Sequence, residues 1–538
     1  MRFALLFLLL LLTIGSSLSA TPAAAQRASA ERARQEMEER RKRFEEMRER
    51  LENLPDDPEE ARQALEDASR EMQDLGQGLE AAGEEGLEES HEVSPAQGVV
   101  ERKLAGLLDV KSTPAQAATT YVRDAGGKTV IAKVACELGD KRMIILPDGR
   151  ADFVSRSATR PCDQPFKSNT RAQIEQKMRA NGFADFKFVH DGYYLYAYNC
   201  SEGFYHHTHS ILNTMLAGVV EQLREWGLKV HRPETPLVVV IFPDRRSFDR
   251  HDPMPEEVAA YYSGLSNWVH LYEDTQLWNS APEFAMKQFA YTVAHEGIHQ
   301  VLHNTGIQRR LSKWPAWVSE GLPEYFSPLS VSSKVVRQGK SEMPERVLRW
   351  QGPGRMNDIR MWELTGGDTG GSGRLISEAV SYQNLTSYGY AISWGLTHYL
   401  AERKTDAFAA YLRELSKTQP LQGDFKSRSG PDPLFVKHFG EDFEEVELDV
   451  KRHLTSSSMQ RQYKDPIENQ TYYVIKRIYK KQRTFFTTVV LTRSPEAARR
   501  WRDKEAKRMD QVGEEAAFYT IICDNADEAR YQIAKLSR

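Results

Sequence analysis

Residues 292–301 read Thr292-Val293-Ala294-His295-Glu296-Gly297-Ile298-His299-Gln300-Val301. His295 and His299 stand four apart, so on a helix both imidazoles leave one face about one turn from each other. That separation lets two ring nitrogens reach a tetrahedral Zn2+ at about 2.0–2.1 Å. Glu296, adjacent but rotated, is placed for a water on the metal rather than for the metal itself. In a chain with 14 histidines the pattern arises by chance at a rate on the order of a few per cent. Its context strengthens it. Phe289, Val293 and Val301 give the helix an apolar stripe, Glu296 is the one charge between 293 and 301, and no proline interrupts them. A helix is expected over 282–305.

A third protein ligand is required, and Trp317-Val318-Ser319-Glu320-Gly321-Leu322-Pro323-Glu324-Tyr325-Phe326 offers Glu320 after room for a connector and a second helix at 315–326. The rival is His303, four residues after His299, which drifts around the helix axis away from a shared metal. Two histidines and a downstream glutamate resemble the ligand set of thermolysin-like zinc peptidases, the gluzincins. The resemblance implies that Glu324 is an outer carboxylate receiving the other N–H of a ligating histidine, fixing its tautomer.

The likeness extends over residues 186–454, which resemble a bacterial family of exported, gluzincin-like domains of uncharacterised function. The matching pieces are Pro236-Leu237-Val238-Val239-Val240-Ile241-Phe242 with Pro243-Asp244-Arg245-Arg246-Ser247-Phe248, then Tyr261-Tyr262-Ser263-Gly264 and the His-Glu-Gly-Ile-His stretch. Arg309-Arg310-Leu311-Ser312, the Glu320 segment and Tyr390-Ala391-Ile392-Ser393-Trp394 complete them. Family members commonly have a small residue where this chain has Pro323, which would kink the ligand helix. The resemblance implies a metallopeptidase fold and leaves the substrate open. In the implied reaction, Zn2+ on His295, His299 and Glu320 acidifies water and polarises the scissile carbonyl, while Glu296 moves the proton to the leaving amine. Tyr390 and Tyr388, with His398 behind them, are candidate oxyanion donors. Residues 268–272 are a candidate strand for pairing with an extended peptide.

Around this segment the chain divides. Residues 1–25 have Arg2, an apolar run at 3–14 and Ala23-Ala24-Ala25, the pattern of a signal peptide cleaved near Ala25 and directing export to the periplasm or beyond. Residues 26–95 are rich in Glu, Arg and Ala. Ala33, Met37, Arg40, Phe44, Met47, Leu51 and Leu54 alternate four and three apart, a seam suited to a helical hairpin or self-association, before a Gly-containing linker. Residues 96–170 are β-rich, with expected strands at 129–136, 142–146 and 151–154 and a turn at Pro147-Asp148-Gly149-Arg150; within them Thr120 to Pro165, with its strand–Asp-Gly-Arg–strand hairpin, resembles small SH3-like barrels of the SLA1-homology type. The metallopeptidase-like region is set at 171–464, with a helix at 206–228, strands at 236–242 and 268–272, and a helix at 391–402. A β-α-β-α unit at 465–538, with a further strand at 472–479, suggests half of a ferredoxin-like sandwich.

Composition bounds the remaining classes. The 538 residues carry 72 Lys+Arg against 76 Asp+Glu, a formal charge of -4, which gives no electrostatic footprint for nucleic acid. Charged residues at 28% exclude a polytopic membrane protein, and no membrane span is expected after signal cleavage. Four cysteines are too few for a disulfide scaffold, and Cys136–Cys162 is the one pair favoured, both flanking the β-rich stretch. His206, His207 and His209 do not converge on one helix face, and the Gly-rich run at 366–373 lacks the ending of a phosphate loop. The expected fold class is α+β and multidomain with a zincin-like (gluzincin) domain. The expected function is an exported zinc metallopeptidase acting on peptides or proteins; the alternative is an inactive zincin fold serving as an envelope binding or assembly module.

Overall fold

The computed structural model describes residues 110–536 together with Leu104 and Leu107, apart from 256–257, 274–281, 366–373, 382–384, 386, 423–429, 465–470 and 482–483. The expected signal peptide, the charged segment at 26–95 and the Gly-rich run at 366–373 lie outside these residues. The described residues belong to one compact unit, Glu92–Arg538, which mixes helices and strands in an α+β arrangement. Among the described residues no helix is long and apolar enough to cross a membrane.

Strands β1 (Ser112–Pro114), β2 (Thr119–Arg123), β3 (Thr129–Leu138), β4 (Lys141–Ile145), β5 (Ala151–Ser155) and β6 (Arg160–Pro161) form an antiparallel sheet, ordered β5-β4-β3-β2-β6 with β1 added to β3. A register shift between Val134 and Cys136 turns the second half of β3 over. Ala132 and Val134 therefore join Val122, Ile144 and Leu146 on one face, while Cys136 and Leu138 join Met143 and Leu104 on the other. Leu265, Leu311 and Leu421, from far along the chain, close that second face. The expected turn is present, with Gly149 at φ +90° and its N–H donating to the Leu146 carbonyl at 2.9 Å.

The expected Cys136–Cys162 bridge is corrected: both thiols are free and buried. Cys136 lies on β3 and Cys162 follows β6, with β2 between them. Two strand spacings, about 9–10 Å, exceed the Cα separation a disulfide spans.

Helix α1 (Arg171–Ala180) starts at a capping box between Thr170 and Gln173. Then come β7 (Lys187–Asp191), β8 (Tyr194–Tyr198), α2 (Glu202–Glu225), β9 (Leu237–Phe242), α3 (Arg245–His251), β10 (Ala260–Ser263) and β11 (Trp268–Tyr272). The sheet order is β10-β11-β9-β8-β7, with β9 parallel to both neighbours and the two outer strands antiparallel. Every residue of β9 is buried, as an apolar run in a doubly covered sheet requires. Leu237, Val239 and Ile241 face the main core; Val238, Val240 and Phe242 face a second core with Ile174, Met178 and Phe248.

The main core is capped by α4 (Pro282–Asn304), α5 (Ala316–Phe326), α6 (Asp358–Thr365), α7 (Arg374–Ala379), α8 (Ser387–Arg403), α9 (Thr405–Leu415), α10 (Pro433–Phe439), α11 (Phe443–Leu454) and the short α12 (Ser457–Gln460). A Cβ on Gly297 would run into Leu212 and Met215, so this glycine lets α4 lie directly on α2. At Gly321 a Cβ would stand 2.7 Å from the Ser393 carbonyl, so α5 and α8 touch backbone to backbone there. Pro323 does not break its helix, which continues to Phe326.

Between α5 and α6 lies a hairpin absent from the sequence reading, β12 (Leu329–Gln338) and β13 (Ser341–Trp350), turned by Gly339 at φ +60°. At the C-terminal end stand β14 (Tyr472–Lys481), β15 (Thr484–Thr492), α13 (Pro495–Gln511), β16 (Ala516–Cys523) and α14 (Ala526–Leu536). The first of these strands lies between the other two and antiparallel to both, a split β-α-β arrangement. β16 rests on the hairpin, where the Thr520 hydroxyl donates to the Glu342 carbonyl at 2.8 Å.

Candidate metal centre

Helix α4 carries His295, Glu296 and His299 from its middle, and α5 brings Glu320 against them. His295 Nε2 lies 3.1 Å from Glu320 Oε2 and 3.1 Å from His299 Nε2, and His299 Nε2 lies 3.4 Å from the same Glu320 oxygen. One donor atom from each residue therefore falls within 4.8 Å of the others. Among the described residues this is the one group of three such side chains arranged to hold an ion. Three ligand atoms turned toward one point, two imidazole nitrogens and a carboxylate oxygen, could hold a metal ion.

The far side of His295 is held. Its Nδ1 lies 3.1 Å from Glu324 Oε1, one helical turn beyond Glu320. Glu324 in turn accepts from Arg360 Nη2 at 2.8 Å, Arg360 Nε at 3.0 Å and Asn357 Nδ2 at 2.9 Å. Asn357 also caps α6, its Oδ1 accepting from the Arg360 N–H at 3.2 Å. Arg360 and Asn357 escape sequence reading, because nothing at their positions reports which carboxylate they meet. The Asn-Asp start of α6 was the one available signal, and it is a signal for a helix cap.

These contacts set the charges. Burial alone would push His295 down, but the hydrogen bonds it donates to Glu320 and Glu324 outweigh it and raise the imidazole to about 10. Burial likewise opposes ionisation of Glu320 and Glu324. The His299 and His295 rings hold Glu320 far below the usual carboxylate range, and Arg360 with His295 lowers Glu324 to about 2. Glu296 differs: burial raises its carboxyl, only partly countered by the two histidines. Its Oε2 accepts the backbone N–H of Tyr262 at 2.7 Å, which seats it against β10.

The other sequence candidates fall as follows. The Tyr390 ring centroid lies 6.2 Å from that of His295, with the Arg360 guanidinium 5.2 Å from the phenol ring. Tyr388 packs half-buried on the main core. His398 is buried with its Nδ1 2.8 Å from His453 Nε2, a contact between α8 and α11. His303 stays outside the donor group and stacks on Tyr262 at 5.2 Å. His209 Nε2 lies 2.8 Å from Asp191 Oδ2. Residues 268–272 do form a strand, but β11 is paired on both sides, so its expected role beside a peptide is corrected: the open edge belongs to β10, which pairs with β11 alone among the described strands.

The chain matches no curated protein. Residues 289–422, which span the whole donor group and its supporting carboxylate, are similar to a family described as a protein of unknown function (DUF1570).

Proposed function

We propose that the protein is an exported zinc-dependent metallopeptidase with a zincin-like, gluzincin-type domain, hydrolysing peptide bonds with Glu296 as general base. The carrying observation is the convergence of His295, His299 and Glu320 beside a half-buried glutamate whose pKa is raised. Zinc held by those three residues would supply Lewis acidity, acidifying a water and polarising a carbonyl oxygen. Glu296 takes the proton from the attacking water and delivers it to the departing amine nitrogen. A carboxyl lifted by burial is closer to the pKa such a relay needs than an exposed one. Glu324 accepts the His295 Nδ1–H and leaves Nε2 as the ligating lone pair. Tyr390, its ring centroid 6.2 Å from that of His295, would donate to a developing oxyanion. An extended peptide would lie along the edge of β10, two strands from the buried β9 and next to Glu296, which holds the Tyr262 amide.

Zinc stoichiometry and peptide-library cleavage, with and without chelator, test the reading in wild type and in Glu296→Gln. The expectation is equal zinc in both proteins, and chelator-sensitive cleavage that falls by about 10²–10⁴ in the variant. A wild type that holds zinc yet cleaves nothing would leave the non-catalytic binding module as the better description.

A further inference from the structure

We infer that Arg360 is the positioning residue of this centre: through Glu324 it fixes the orientation and tautomer of His295, and through a cation–π contact it holds Tyr390 beside the same ring. The inference rests on the metal-dependent reading and deepens it by assigning a residue that sets how tightly and in what geometry the ion is gripped.

The geometry is specific to a guanidinium. Nε and Nη2 reach the two different oxygens of Glu324, at 3.0 and 2.8 Å, a fork-to-fork pair that fixes the carboxylate plane. Nη1 donates to Glu363 Oε2 at 2.9 Å, which anchors the other end of the fork. The Glu324 oxygen taken by Nη2 is the one that faces His295 Nδ1. A carboxylate held in this way cannot rotate to release the ring, so the proton stays on Nδ1 and Nε2 faces the other donors. The carbon of the same guanidinium stands over the Tyr390 ring, 5.2 Å from its centroid, a cation–π contact. A lysine could supply the charge but not the fork.

An ordinary structural ion pair makes a different prediction, which separates the two. In the full chain, zinc affinity is measured by competition with a chromophoric chelator, and geometry by the visible absorption of the cobalt-substituted protein. Arg360→Met is expected to bind zinc about 10–100-fold more weakly, with an altered cobalt band and an unchanged circular dichroism spectrum. Arg360→Lys should restore little of that loss. Because the effect passes through Glu324, the double variant Arg360→Met/Glu324→Gln should bind no more weakly than Glu324→Gln alone. Wild-type affinity and cobalt spectrum in folded Arg360→Met, or losses that add in the double variant, would overturn the inference. Should Arg360→Met fail to fold, Arg360→Lys and Asn357→Ala probe the same carboxylate, and wild-type affinity in both would overturn it equally. A wild type that takes up no zinc would instead remove the metal-dependent reading beneath it.

Discussion

At His295 the metal-free site holds a proton that an incoming ion must displace. The imidazole pKa stands at about 10 because Glu320 and Glu324 outweigh burial. A raised pKa stabilises the folded metal-free chain fully below the unfolded value of about 6.5, and the contribution is lost as pH rises through about 10. Zinc ligation needs the neutral ring, so the sign for binding is opposite: affinity should climb by roughly tenfold per pH unit up to that value. Calorimetry at pH 7.5 in two buffers of different ionisation heat should register release of about one proton per zinc. A release near zero would mean that the ring is already neutral in the metal-free chain. Tyr390→Phe tests a second residue. Loss of an oxyanion donor lowers kcat by about 10²–10³ with KM and zinc content little changed, whereas a packing role would shift the melting temperature and leave kcat alone.

At the scale of elements, two glycines let the ligand helices approach. Gly297→Ala pushes a methyl into Leu212 and Met215, side chains with some freedom to move, whereas Gly321→Ala meets a backbone carbonyl of α8. Both should destabilise by about 1–3 kcal/mol in denaturant titrations, with Gly321→Ala the worse. The elements bearing the site were legible because they obey strong periodicities. The 282–305 expectation falls on Pro282–Asn304, and the run at 236–242 on Leu237–Phe242. The hairpin was not legible. Ser341–Trp350 contains Pro344 and alternates charged with apolar residues irregularly, and its pairing with β12 is completed by packing from β16, which no local pattern encodes. The same limit hid the edge strand: Ala260–Ser263 is four residues long, and only the register of its neighbours shows which strand is outermost. Likewise, two imidazoles four apart announce themselves, while a fork 36 residues from its carboxylate does not.

Across the whole molecule, the first sheet is less separable than a boundary at 170 suggests. Its second core is closed by Leu265, Leu311 and Leu421, and the Ala151 N–H donates to the Leu265 carbonyl at 2.7 Å. Buried Arg310 binds the Gly149 carbonyl with one nitrogen and the Gly264 and Leu265 carbonyls with others. A chain beginning at residue 171 should therefore express as aggregate or melt far below the full protein, because leucines meant to be covered would face water. Arg310→Met strands those carbonyls and should cost about 1–3 kcal/mol by chemical denaturation. An unchanged midpoint would show that water replaces the guanidinium without loss.

The carbonyl at Gly264 sits two residues past the amide that seats Glu296. Tilting the largely buried turn at 147–150 would draw on Arg310, then on the bend after β10, and so loosen the seat of Glu296. The first sheet is thus joined to the neighbourhood of Glu296 by a short polar tether, one guanidinium gathering three carbonyls, so that the two cannot shift independently.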